Sequence, residues 1–120
     1  MSHQLRAELI HYTSKQNITI IEDDYNGELN YASAKQHVLQ SMTNTDHVIY
    51  CGSFSRLVVP ALRISYLVLN EHYYKIYKSF KDQYGPSASK LEQLAFAQYI
   101  SDGHLTKHIK KLKKTTIKSI

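Results

Sequence analysis

Tryptophan is absent from this 120-residue sequence, and there are only one cysteine, two prolines and four glycines. With Cys51 alone, no intrachain disulfide can form, which excludes a disulfide-stapled secreted scaffold. No apolar run approaches the ~20 residues that a helix needs to cross a bilayer. The opening residues Met1-Ser2-His3-Gln4-Leu5-Arg6 lack the apolar core of a secretion signal. A cytoplasmic protein with no membrane segment is the expectation. Internal repeats and low-complexity tracts are also missing.

What is present is ordinary for a folded chain: 42% hydrophobic and 21% charged residues. That is enough apolar surface to form a core, though a chain this short buries less of its surface than a large domain does. The formal net charge is +5. Six of the fifteen basic residues sit in the final stretch, at Lys107, Lys110, Lys111, Lys113, Lys114 and Lys118, and the other nine are offset by ten acidic residues. The net charge therefore describes one terminal segment. A small basic nucleic-acid-binding module is one function such a segment could serve. A solvated helix face is the alternative.

Residues 4–16 read as a helix with Leu5, Leu9 and Tyr12 on one side, Arg6 and Glu8 turned elsewhere, and Asn17 as its stop. Ile18-Thr19-Ile20-Ile21 is short and β-branched, and predicts a strand buried on both faces. Asp23 to Ala34 reads as a loop, within which Asn26-Gly27 could turn a hairpin. Residues 35–42 read as a short helix. His47–Cys51 and Ile64–Leu69 read as a second and a third strand, with a loop over Ser53–Pro60. Residues 71–83 and 88–101 then read as helices broken at Gly85-Pro86, with a capping box from Ser89 to Glu92. Asp102-Gly103 ends the second of them. A last helix carries Leu105, Ile109 and Leu112 on one face and lysines on the others. Strands separated by helices predict an α/β fold with a mostly parallel sheet. Three strands close such a sheet poorly, so the pattern points to part of something larger.

Two strand ends carry residues with chemistry. The first runs into Glu22-Asp23-Asp24-Tyr25, and the second into Gly52-Ser53-Phe54-Ser55-Arg56, followed by Pro60 and Arg63. Ligands of α/β sheets gather at the carboxyl ends of strands. Hydroxyls beside a guanidinium suit a phosphate, and a carboxylate suits a cationic ring nitrogen. A phosphate and a protonated pyridine on one ligand describe pyridoxal phosphate. His104 and His108, four apart, could pair on a metal, but the sequence places no third ligand. Cys51 reads as a packed small hydrophobe.

The runs Ile20–Tyr25 and Ser53–Arg63, with Leu91-Glu92-Gln93 and Gly103–Ile109, resemble fold-type I aminotransferases. They most resemble the aminotransferase-like domain of MocR-type regulators of the GntR superfamily. The resemblance spans roughly residues 5 to 114. It implies that residues 1–70 form part of the cofactor-binding large domain, and residues 71–120 a linking helix and part of the small domain. By position it also implies that Asp23 faces the pyridine nitrogen, that Tyr25 lies beside the phenolic oxygen, and that Ser53, Ser55 and Arg63 hold the phosphate.

The Schiff-base lysine is expected directly after Ser55, where this sequence has Arg56. A guanidinium stays protonated and its lone pair is delocalised, so it cannot act as the amine nucleophile. The resemblance therefore implies an effector-binding, dimer-forming domain without transamination. Family members bind DNA through a winged-helix domain. That domain, an earlier phosphate-binding turn, a ring-stacking aromatic and a substrate-carboxylate arginine have no counterpart in these 120 residues. The expectation is a sequence that starts inside the large domain, stops inside the small one, and has poor stability alone. The competing enzyme reading is a fragment of a true pyridoxal-phosphate aminotransferase.

Overall fold

Ser2 opens the first helix by accepting a hydrogen bond from the Leu5 N–H at 3.2 Å, which satisfies one of the orphan donors of the first turn. The computed structural model describes residues 1–24, 38–42, 47–58, 62–85 and 87–117, with side chains described through Lys114. Helix α1 spans His3–Lys15. It stops where expected, at Asn17, whose φ of 54° is left-handed. Ile18 N–H donates to the Thr13 carbonyl at 2.9 Å and Asn17 N–H to that of Ser14 at 3.4 Å. These are the two bonds of a Schellman stop.

The face that α1 turns inward differs from the expectation. Leu5 and Tyr12 are 52% and 60% exposed, and the covered positions are Arg6, Leu9, Ile10, Thr13 and Ser14. They recur at helical spacing, but two of them are polar groups with partners. Arg6 reaches the Glu22 Oε1 at 3.6 Å, and Thr13 donates its hydroxyl to the carbonyls of Leu9 and Ile10.

Strands β1 (Ile20–Asp24), β2 (Val48–Ser53) and β3 (Ser65–Val68) form one sheet in that order. β1 runs parallel to β2, from Ile20 opposite Val48 to Asp24 opposite Gly52. The first strand is a correction to the expected buried Ile18–Ile21. Ile18 is consumed by the helix stop, so pairing begins where Ile20 N–H donates to the His47 carbonyl at 2.7 Å. The strand then continues through the acidic run and alternates half-buried and exposed positions. β2 is covered on both faces, with Val48, Tyr50 and Gly52 buried and the residues between them half-buried. β3 leaves only Tyr66 half-covered.

A 3-10 helix over Leu39–Met42 takes the end of the expected 35–42 helix. The start of that helix and the Asn26-Gly27 turn lie outside the described residues. Helix α2 (Glu71–Phe80) is capped by the Asn70 side chain, which accepts from the Tyr73 N–H at 2.9 Å. Its expected last turn is a 3-10 turn over Lys81–Gln83. Helix α3 covers Lys90–Ser101. The expected capping box is not formed, because the Ser89 side chain makes no cap bond and the Gln93 amide reaches back to the Ala88 carbonyl instead. Gly103, at φ 75°, ends α3, and its N–H donates to the Ile100 carbonyl at 2.9 Å. Helix α4 runs His104–Ile117 with Leu105, Ile109 and Leu112 half-buried, as the spacing predicts.

The chain divides into two units that interleave in sequence. One holds α1, most of the sheet, the first 3-10 helix and α2. Its core is Leu39, Val48, Tyr50 and Thr13. The other holds residues 53–58 and 62–65 with α3 and α4, and its core is Leu57, Ile64, Phe96 and Ser55. Large apolar side chains on both units face outward, including Ile21 at 67%, Tyr84 at 74% and Leu91 at 76% exposure. No helix among the described residues is long and apolar enough to cross a membrane.

Candidate functional site

The acidic run on β1 separates by strand alternation into two kinds of carboxylate. Glu22 and Asp24 point to the half-buried side, and Ile21 and Asp23 to the exposed one. Glu22 is structural: its Oε2 accepts from the Leu39 N–H at 2.8 Å while its Oε1 faces Arg6. It thereby ties α1, β1 and the 3-10 helix together. Asp24 accepts a hydrogen bond from the Tyr50 hydroxyl at 3.1 Å.

Asp23 is the exposed member of the three. It stands opposite Cys51 at the carboxyl ends of two parallel strands. Ligand-binding carboxylates of α/β sheets occur at such a position. Burial, and then the Asp23 carboxylate, push the Cys51 thiol above its ordinary value. Cys51 is thus a poor nucleophile, as its place in an apolar strand leads one to expect.

Tyr50 was not singled out by the sequence. It is 8% exposed, and its ring centroid lies 6.1 Å from that of Tyr66. Burial is the largest cause, with the Asp24 hydrogen bond next, that pushes its hydroxyl well above the ordinary tyrosine range. It is therefore a neutral donor at any physiological pH. The period-two pattern of β2 could have revealed it, since Val48, Tyr50 and Gly52 share one face.

A pH consequence follows from this buried hydroxyl. Above about pH 10 the unfolded chain loses the Tyr50 proton while the folded chain keeps it. The folded state then binds more protons, so the stability that Tyr50 contributes falls as pH rises past that point. Tyr50→Phe is expected to lower stability at neutral pH by about 1–3 kcal/mol, since it removes the buried hydroxyl that donates to the Asp24 carboxylate. Its stability should then decline less steeply than that of the unchanged chain above pH 10. Urea titrations at neutral pH and above pH 10 check this, and parallel declines would contradict it.

In the other unit, Ser53, Ser55 and Arg63 lie around a tight turn. Leu57 N–H donates to the Phe54 carbonyl at 3.0 Å, and Phe54 N–H to the Ile64 carbonyl at 3.0 Å. Ser53 Oγ accepts from the Ser55 N–H at 3.3 Å. Ser55 is buried, and its hydroxyl donates to the Leu62 carbonyl at 3.0 Å. This bond fastens the two sides of the loop. Arg56 and Arg63 are both exposed. Phe54 packs on Phe96 of α3, with ring centroids 4.7 Å apart, so the turn is anchored to a helix. Tyr25 and Pro60 lie outside the described residues. The His104 ring sits 5.5 Å from that of Tyr99, and no group of three or more metal-ligating side chains comes together among the described residues.

The donor chemistry can be tested against pyridoxal phosphate unit by unit. An exposed carboxylate at a parallel strand end suits a ring nitrogen, and two guanidiniums with a serine suit a phosphate. Directly after Ser55, where the resemblance expects the Schiff-base lysine, the chain has Arg56, which offers no neutral amine.

No protein-family profile matches the chain. It is 34% identical over 114 residues to the uncharacterized HTH-type transcriptional regulator YdeL of Bacillus subtilis, covering 95% of this chain and 25% of that protein. It is 28% identical to the probable rhizopine catabolism regulatory protein MocR of Rhizobium meliloti, over 91% of this chain and 22% of that one. Among solved structures, a kynurenine aminotransferase of Pyrococcus horikoshii, in complex with PMP, superposes with a TM-score of 0.85 at 27% identity. That match covers 95% of this chain and 28% of the other. The chain thus spans about a quarter of the length of the relatives it matches.

Proposed function

We propose that this chain, which is a part of an aminotransferase-like domain related to those of MocR-type HTH regulators, is a non-catalytic, effector-sensing piece of such a regulator. Its α/β architecture and its relatives support that ancestry. Residues 1–70 would belong to the cofactor-binding large domain and residues 71–120 to the linking helix and small domain. Asp23 would serve the pyridine nitrogen, Tyr25 the phenolic oxygen, and Ser53, Ser55 and Arg63 the phosphate. The whole protein would act in the cytoplasm as a homodimer and reach DNA through a winged-helix domain outside these residues.

One observation carries the reading: an arginine, Arg56, directly follows Ser55, where the family frame would put the Schiff-base lysine. Pyridoxal phosphate, where bound, supplies an electron sink, and its covalent attachment needs a neutral amine at that position. Arg56 can hold only charge there. Non-covalent binding would remain possible, with affinity reduced. Ser55 would have to release the Leu62 carbonyl in order to donate its hydroxyl to the phosphate.

The expected result is that the purified chain, mixed with pyridoxal phosphate and treated with borohydride, shows no adduct at residue 56, whereas Arg56→Lys gains one there. Peptide mapping of the reduced product reads both. An adduct fixed at one defined site in the unchanged chain would sink the reading and favour the alternative, a fragment of a working aminotransferase.

A further inference from the structure

We propose that the lysine face of α4 is a contact surface for the phosphate backbone of duplex DNA. Lys107, Lys110, Lys111 and Lys114 are all exposed. Their spacing of i, i+3, i+4 and i+7 sets them on one face of the helix. Leu105, Ile109 and Leu112 lie on the opposite side, half-buried, where α4 packs with α3. The helix contains no aspartate or glutamate to neutralise the stripe from within. The charge is therefore concentrated along one line and held on a helix whose other side is already packed.

The chemistry of the stripe selects its partner. From Lys107 to Lys114 the helix rises about 10 Å, at ~1.5 Å per residue. That length spans about three phosphate-to-phosphate steps, hence about four phosphates, of one DNA strand at ~3.4 Å axial spacing. α4 contains no arginine, asparagine or glutamine, so lysine, a compact point charge suited to phosphate, is its main donor toward DNA. Contact would then be to the backbone and indifferent to sequence. A membrane surface is the poorer fit, because an interfacial helix needs a free apolar side to bury, and that side of α4 is half-covered. The inference goes beyond the cofactor reading and stands without it, since no residue is shared.

Fluorescence anisotropy of a short labelled duplex with the intact 120-residue chain tests the proposal. Binding should be saturable and equal for unrelated sequences, with a log–log salt slope of about −3 to −4 for four phosphate contacts. The triple variant Lys107→Gln, Lys110→Gln, Lys114→Gln should bind at least about tenfold more weakly at low salt, with a slope shallower by ~2.7. Lys15→Gln with Lys78→Gln, exposed lysines on other helices, should change neither. If the triple variant loses its helical spectrum, Lys110→Gln alone should still reduce the slope by ~0.9. No binding at low salt overturns the proposal, as does a triple variant that binds like the unchanged chain. Equal or tighter capture of poly-glutamate or of phosphatidylserine vesicles would also overturn it, by assigning the face to an acidic protein or a membrane.

Discussion

Phe96→Ala is expected to lower the stability of the α3–α4 unit by about 3–5 kcal/mol. The ring is 7% exposed. It lies 4.7 Å from Phe54 and 6.2 Å, stacked, from Tyr99. Its removal leaves a cavity between α3 and the turn that carries Phe54. The loss is a large share of the ~5–15 kcal/mol that holds a typical domain. Phe54 is part of the turn that carries Ser53 and Ser55, so amide exchange there should accelerate together with that of α3. Leu91→Ala, on the same helix but 76% exposed, should cost no more than about 0.5 kcal/mol. Urea midpoints followed by far-UV circular dichroism compare the two. Equal losses would mean that Phe96 is not the anchor described.

Gly52→Ala is expected to cost about 1–3 kcal/mol by overpacking. The Tyr66 ring lies across Gly52, where an added Cβ would stand 2.6 Å from Tyr66 Cε1 and closer still to Cζ. Either the ring rotates away, which disturbs its contact with Tyr50, or the strands part. Here the glycine is needed for the close approach of a side chain and not for its own backbone angles. The cost should be coupled to Tyr66. In a Tyr66→Leu background the same change should cost less than about 1 kcal/mol, because the clashing atoms are gone. A double-variant cycle measured by urea unfolding reads the coupling, and additive effects would show that the ring is not the obstacle.

Much of this arrangement could be read before any coordinates. The helix stops at Asn17 and Gly103 were legible because the left-handed conformation favours those residue types. The inward stripe of α4 was legible because Leu105, Ile109 and Leu112 line up on its packing side at helical spacing. The inner face of α1 was not, because Arg6 and Thr13 occupy it through bonds to Glu22 and to the helix's own carbonyls, and hydrophobic spacing does not register such partners. β1 was misplaced for a related reason. Ile18 looks like a strand residue but serves the Schellman stop, and the acidic residues that look like loop are paired strand.

At the two strand ends, the residue types around Asp23 and, separately, around Arg56 were legible in the sequence. The Ser55 bond to Leu62, the Tyr50 clasp on Asp24 and the Tyr66 cover over Gly52 were not, because each depends on residues that meet only in three dimensions.

The alternation of β1 gives its three neighbouring acids different evolutionary exposures. Glu22 and Asp24 are stitched into the fold by Leu39, Arg6 and Tyr50, so a cell that asks only that the protein persist will still guard them. Asp23 faces away from those bonds, and selection for abundance is blind to it. In a lineage that has stopped using a bound ring nitrogen, position 23 is the one that drifts first, while the letters on either side stay fixed. On the reading that Asp23 serves a bound ring nitrogen, variation at that single codon, set against its two neighbours, would record whether that role is still in use.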